Sequence, residues 1–140
     1  MKRLLMILVL TQAAIVAQAA NLSGRWEVEI ARAGGGRPQT LYLTLYQVGS
    51  EVTGELAASA LPYTGSPSYT QVWEGRVEGD TISFYVWTGH DRVAKVLYKG
   101  KLVGEEIHFT VTGGAPSFNV RGEMNPPPAP RTAVAKRTRL

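Results

Sequence analysis

Cysteine is absent from the 140 residues, and histidine occurs only twice. Without Cys there is no disulfide scaffold, no thiolate zinc site, no thiol nucleophile and no lipidated N-terminal Cys. Two isolated histidines do not make up the three or four converging ligands that zinc requires, so neither metal nor cofactor is expected. Helical periodicity is missing as well. After residue 20 no stretch repeats its apolar residues at three and four, and none is apolar for long enough to span a bilayer. What remains is a chain sized for one domain with 44% hydrophobic residues, an ordinary globular content.

The apolar run that does occur is N-terminal. Lys2 and Arg3 precede the unbroken stretch Leu4 to Leu10, Ala13 to Ala17 continues it, and Ala17-Gln18-Ala19 has the small-x-small form that signal peptidase reads. This is the pattern of a secretory signal. It predicts residues 1–20 as signal peptide with cleavage near Ala19 or Ala20, and a periplasmic or secreted mature chain without a membrane span. Taking away Lys2 and Arg3 leaves 13 basic against 11 acidic groups. Arg131, Lys136, Arg137 and Arg139 are all within the last ten residues, so residues 21–130 carry 9 basic against 11 acidic groups. The high isoelectric point is thus a property of the two ends. It is no evidence for a nucleic-acid-binding face, and no nucleic-acid partner is expected.

From residue 21 onward the apolar residues alternate. Trp26, Val28 and Ile30 are spaced by Glu27 and Glu29; Leu41, Leu43 and Leu45 by Tyr42 and Thr44; Val52, Gly54 and Leu56 by Thr53 and Glu55. Trp73, Gly75 and Val77 are spaced by Glu74 and Arg76, and Ile82, Phe84 and Val86 by Ser83 and Tyr85. Further runs cover Val93 to Leu102, Ile107 to Thr112 and Phe118 to Gly122. Period two is the signal of half-buried strands, and about eight are predicted. Gly49-Ser50, Gly79-Asp80 and Gly104-Glu105 separate consecutive runs as Gly-led hairpin turns. WEGRVEGDTISFYV at 73–86 repeats as YKGKLVGEEIHFTV at 98–111, with a weaker copy at 47–56, so one hairpin geometry recurs along the chain.

Such a meander within about 100 residues closes into an up-and-down barrel or folds into a sandwich, and even spacing favours the barrel. The fold expectation is therefore all-β, an antiparallel up-and-down β-barrel over residues 21–124. Two glycine- or tyrosine-bearing loops, Ala31 to Gln39 and Ala58 to Thr70, interrupt it. Residues 125–140 begin with a Pro-rich segment that cannot be a central strand. Beyond it, Arg131 to Arg139 reads either as a closing strand or as a basic tail.

Ser23-Gly24-Arg25-Trp26 resembles the Gly-x-Trp opening of lipocalin and avidin-type barrels, and Val48-Gly49-Ser50-Glu51-Val52-Thr53-Gly54 resembles the avidin pattern after its second strand. Asn21 to Trp26 also resembles the N-L-[ST]-G-x-W opening of small exported bacterial β-domains that carry G-D-x-I-x-F hairpins. The resemblance implies a small ligand-binding barrel with Trp26 closing its bottom. Avidins place an Asn two residues after the opening Trp, where it helps hold the biotin ureido oxygen; here that place is Val28. The strand Ile107 to Val111 lacks their ligand-stacking Trp, and their late Asp has no match. Biotin binding is not expected.

No residue set assembles a reaction. His90-Asp91 lacks an accompanying nucleophile, His108 alternates away from an apolar face, and Glu105 and Glu106 are neighbours whose side chains diverge. Gly34-Gly35-Gly36 is followed by no Gly-Lys-Ser/Thr and no helix. The chain is expected not to be an enzyme. The aromatic residues are more suggestive: Tyr42, Tyr46, Tyr85 and Trp87 lie on the face opposite the aliphatic stripes. Together with Trp73 they are the candidate ligand-binding residues. The leading expectation is an exported, non-enzymatic barrel that binds a small or extended ligand in its mouth. An envelope interaction module, as a self-associating oligomer or on a protein partner, and a small hydrolase inhibitor are the alternatives.

Overall fold

The computed structural model describes residues 21–32, 35–58, 69–88, 94–114 and 116–138. The expected signal peptide, the His90-Asp91 pair and most of the loop from Ala58 to Thr70 lie outside the described residues. Among those described, every regular element is a strand, and no helix is long and apolar enough to cross a membrane. The strands are β1 (Gly24–Ile30), β2 (Gln39–Val48), β3 (Glu51–Ala57), β4 (Tyr69–Gln71), β5 (Trp73–Glu78), β6 (Thr81–Thr88), β7 (Ala94–Val103), β8 (Glu106–Gly113) and β9 (Arg131–Arg137).

All pairings are antiparallel. β4 and β5 are successive parts of one stave beside β3, so the nine strands make a closed eight-stave barrel. The C-terminal segment supplies the last stave. β9 lies between β8 and β1, with Phe109↔Ala133 on one side and Val28↔Ala135 on the other. The barrel thus extends past the Pro-rich segment to Arg137. The run Phe118 to Gly122, read above as a strand, is a turn held by Asn119, whose Oδ1 accepts from the Arg121 and Glu123 N–H groups at 2.9 and 3.0 Å. Among the described residues a single bridge, Phe118↔Met124, is its ladder contact.

Alternation decides what fills the barrel. The aliphatic stripes point inward, and among the described residues every buried side chain of the interior is aliphatic or aromatic. At mid-height Phe84 and Tyr98 stack with ring centroids 5.0 Å apart, and Phe109 meets both edge-on at 5.7 and 5.8 Å. An eight-stave barrel is only wide enough for packed side chains or one small ligand, and these rings occupy its middle.

The two ends differ. At one end β2–β3, β5–β6 and β7–β8 are joined by two-residue loops, led by Gly49, Gly79 and Gly104 at φ of 61°, 60° and 62°. A leading Gly in the left-handed region suits the right-handed strand twist. Trp26 seals this end. Its indole N–H donates to the Leu22 carbonyl at 3.0 Å, and the Arg137 guanidinium lies 4.4 Å from its ring centroid. Arg137 also donates to the carbonyls of Ser23 and Asn21 at 2.7 and 2.9 Å, so residues 21–23 form a strap across the base. At the other end β1–β2, β3–β4, β6–β7 and β8–β9 are joined by the long connections.

A chain ended at Asn125 lacks β9 and leaves β1 and β8 as open edges. We expect it to lose its cooperative thermal transition and to scatter light at concentrations where the full chain stays clear. Circular dichroism and light scattering read both; a sharp transition in the truncated chain would refute closure by β9.

Candidate functional site

Strand direction sends every long connection to one rim. Thr70 Oγ1 donates to the Trp87 carbonyl at 3.0 Å, Thr88 Oγ1 to the Ala94 carbonyl at 3.1 Å, and the Ala31 N–H to the Thr132 carbonyl at 3.1 Å. These bonds stitch neighbouring staves where the loops depart. Inside the rim the buried walls are apolar: Ile30, Leu56, Val86, Val96 and Val111. The polar group within this wall is the Tyr98 hydroxyl. Burial pushes its pKa up to about 12, and Arg131, at the start of β9, pulls the other way. The phenol therefore stays neutral at any physiological pH, and a neutral phenol can both donate and accept a hydrogen bond.

The five aromatic residues singled out in the sequence lie outside the barrel, and the structure gathers three of them. Trp73 and Tyr85 face each other across β5 and β6 with rings 6.5 Å apart and 15° from parallel. Trp87 meets Tyr85 edge-on at 5.8 Å, and Lys95 Nζ sits 4.3 Å from the Tyr85 ring and 5.2 Å from the Trp87 ring. Trp73 does not share a face with Val77, as plain alternation implied. The register of β5 against β6 slips between Trp73 and Arg76, and Glu74 takes a left-handed φ of 48°. This bulge hands the inward place to Val72 and turns Trp73 outward. Tyr42 and Tyr46 lie apart on β2, Tyr42 under Arg25 at 5.4 Å and Tyr46 58% exposed. A ligand inside the mouth is not met by any of the five.

His108 is on the outer face, 3.8 Å from Glu106, whose other oxygen is 3.8 Å from Lys136. This is an exposed ion-pair group with weak geometry. A depression of about 630 Å³ lies at the sealed end, between Leu22, Trp26, Leu102 and Arg137. Of the two cations on its lining, Arg137 is committed to the strap carbonyls and Lys136 lies 3.8 Å from Glu106. Sequence reasoning missed Tyr98 and Arg137. Tyr98 sits in a run read only as a strand, and Arg137 in a stretch whose basic charge reads equally well as a tail.

No family model and no curated protein match this chain. Among solved structures the fold is similar to that of a bradavidin2–biotin complex, with a TM-score of 0.55, 13% identity, and 86% of this chain and all of that chain covered. That likeness shows an avidin-like β-barrel fold.

The raised phenol pKa makes stability depend on alkaline pH. Unfolding releases a phenol of ordinary pKa near 10, so the contribution is intact below that pH and lost as pH rises through about 12. We expect wild type to lose about 2–3 kcal/mol relative to Tyr98→Phe between pH 9 and 12. Urea unfolding of both proteins across that range measures the difference; parallel curves would place the hydroxyl in water.

Proposed function

We propose that this avidin-like barrel is an exported, non-enzymatic binding protein that takes a small ligand at its loop-bearing end. The observation that carries the reading is the asymmetry of the ends. One is closed by Trp26, Arg137 and a strap, and the other bears every long connection above an apolar wall with one neutral hydroxyl. Loops on a rigid scaffold are where binding groups collect, and a mouth with a few polar groups in an apolar lining is the usual form of a small-molecule site. The rings of Phe84, Tyr98 and Phe109 form its floor, so the ligand sits above them and does not run through the barrel.

The ligand chemistry follows from the lining. The solved neighbour is described as holding biotin, but in this chain Val28 and Leu56 are buried hydrocarbon. A urea ring placed there would lose its water and gain no partner, which costs roughly 1–3 kcal/mol for each unmet group. A mostly apolar ligand with one hydroxyl or carbonyl for Tyr98 fits better. Export rests on the N-terminal signal pattern. The strap begins at Asn21, directly after the proposed cleavage site, so the mature chain keeps every residue that seals the base.

Native mass spectrometry of protein purified from the exported fraction tests the reading. We expect a mass lacking the first 19 or 20 residues and an additional small mass that leaves on denaturation and is weakened in Tyr98→Phe. A bare chain, also after incubation with biotin and with medium-chain fatty acids and alcohols, would overturn it.

A further inference from the structure

At the loop-bearing rim β9 begins with a cation on its inward face. Arg131 has the parity of the buried Ala133 and Ala135, and it is half-buried. The pairings set it in one row with the aromatic floor: Tyr98 is opposite Val111, and Val111 is opposite Arg131. Two strand spacings, about 10 Å, separate the backbones of Tyr98 and Arg131, and the guanidinium charge acts on the phenol between them. On the other side the ladder runs past Ile30↔Ala133 through the Ala31 N–H to Thr132 carbonyl bond, which brings Arg32 opposite Arg131. Like charges directly opposed across a strand pair are destabilising. Among the described residues no carboxylate forms an ion pair with either arginine. Charge along the sequence is biased the same way. The four connections that meet at this rim carry Arg32, Arg37, Arg92 and Arg121 against Asp91 and Glu123, whereas the tight turns of the sealed end carry Asp80 and Glu105 and no base. Such a bias favours an anion at the mouth over a cation.

We propose that the mouth takes an amphiphile with a hydrocarbon body and a carboxylate head, and that Arg131 is the residue that selects the head. This rests on the binding role proposed above for the mouth and names the class of ligand held there. A guanidinium presents two parallel N–H donors to the two oxygens of a carboxylate, and the neutral Tyr98 hydroxyl offers a further donor to the same head. The buried walls around this row, Ile30, Leu56, Val86 and Val96, take the hydrocarbon. A carboxylate beside Arg131 also offsets the repulsion from Arg32. An alcohol of equal length gains the apolar contacts without that relief. A phosphate brings a further oxygen and more charge, for which the apolar row has no additional donor. An ammonium head meets like charge.

Isothermal titration calorimetry with octanoate, 1-octanol and octyl phosphate at neutral pH tests it. We expect octanoate to bind at least tenfold more tightly than 1-octanol. In Arg131→Gln the affinity for octanoate should fall at least tenfold, while that for 1-octanol stays within about twofold. Arg131→Lys should keep part of the preference, and Arg32→Gln should weaken octanoate by a smaller factor. Octanol binding retained in a variant shows that its mouth is folded, so a loss confined to octanoate is a loss of head recognition. If Arg131→Gln does not fold, Arg131→Lys decides, with octanoate weakened and 1-octanol kept. Equal affinity for octanoate and 1-octanol, or a preference that survives in Arg131→Gln, overturns the carboxylate head and leaves the apolar mouth standing. Tighter binding of octyl phosphate overturns the choice of head in the same way. Binding of none of the three overturns mouth and head together.

Discussion

Pairing of β9 with both β8 and β1 is the constraint on which the rest depends. An open antiparallel sheet of this length would leave two edges of unpaired N–H and C=O groups, and exposed edges invite association with other chains. Closing the sheet satisfies those groups, but it also fixes the register of every stave around the ring. A one-residue slip anywhere would turn a whole stripe inside out. Small residues at the closing stave, Ala133 and Ala135, let it lie against the crowded middle, where Phe84, Tyr98 and Phe109 already fill the cross-section. Without disulfides, closure and packing must supply what covalent links give many other small domains.

Closure also explains why the ends diverge in role. The strand that closes the ring ends in Arg137, which brings a guanidinium to the base next to Trp26. Its charge remains in contact with water while its donors hold two strap carbonyls, so an indole is covered without burying an unpaired cation. With one end committed to holding the ring shut, the tight turns belong there, and loop variation is left to the opposite rim. There the chain can change without disturbing the staves.

The alternation of apolar residues made the barrel and most of its staves legible, because a side chain's face follows from its parity along the strand. The three Gly-led turns were legible for the same local reason. Three features were not. Phe118 and Val120 alternate like a strand, yet they are 58% and 104% exposed; Asn119 wins by bonding its own backbone, and that competition leaves no trace in the apolar pattern. The bulge at Glu74 is invisible because no Gly or Asn marks the left-handed position, so parity put Trp73 on the wrong side. The role of Arg137 depends on a partner more than a hundred residues away, and composition alone reads it as part of a basic tail. The other aromatic candidates, Tyr42, Tyr46, Tyr85 and Trp87, were separated from the aliphatic stripes by the same parity. Which face was interior followed from packing: aliphatic stripes fill a narrow barrel, and Tyr and Trp keep their polar tips near water.

That division gives the two surfaces different chemistry. The interior has given up nearly all its polar groups to achieve closure, so anything held at the mouth must bring apolar surface and ask for little hydrogen bonding. The outer wall is under no such demand, and at the bulge it has the opposite character. There a lapse in the ladder opens space, a strained carboxylate-bearing residue borders it, and an indole that parity would have buried stands at its edge. Bulges weaken pairing locally and are tolerated where the surrounding ring is already held. A closed barrel can accommodate this one because Val72 takes the core position that Trp73 leaves. The same exchange that keeps the interior packed therefore turns a large aromatic ring to the outer wall, where it packs along Tyr85.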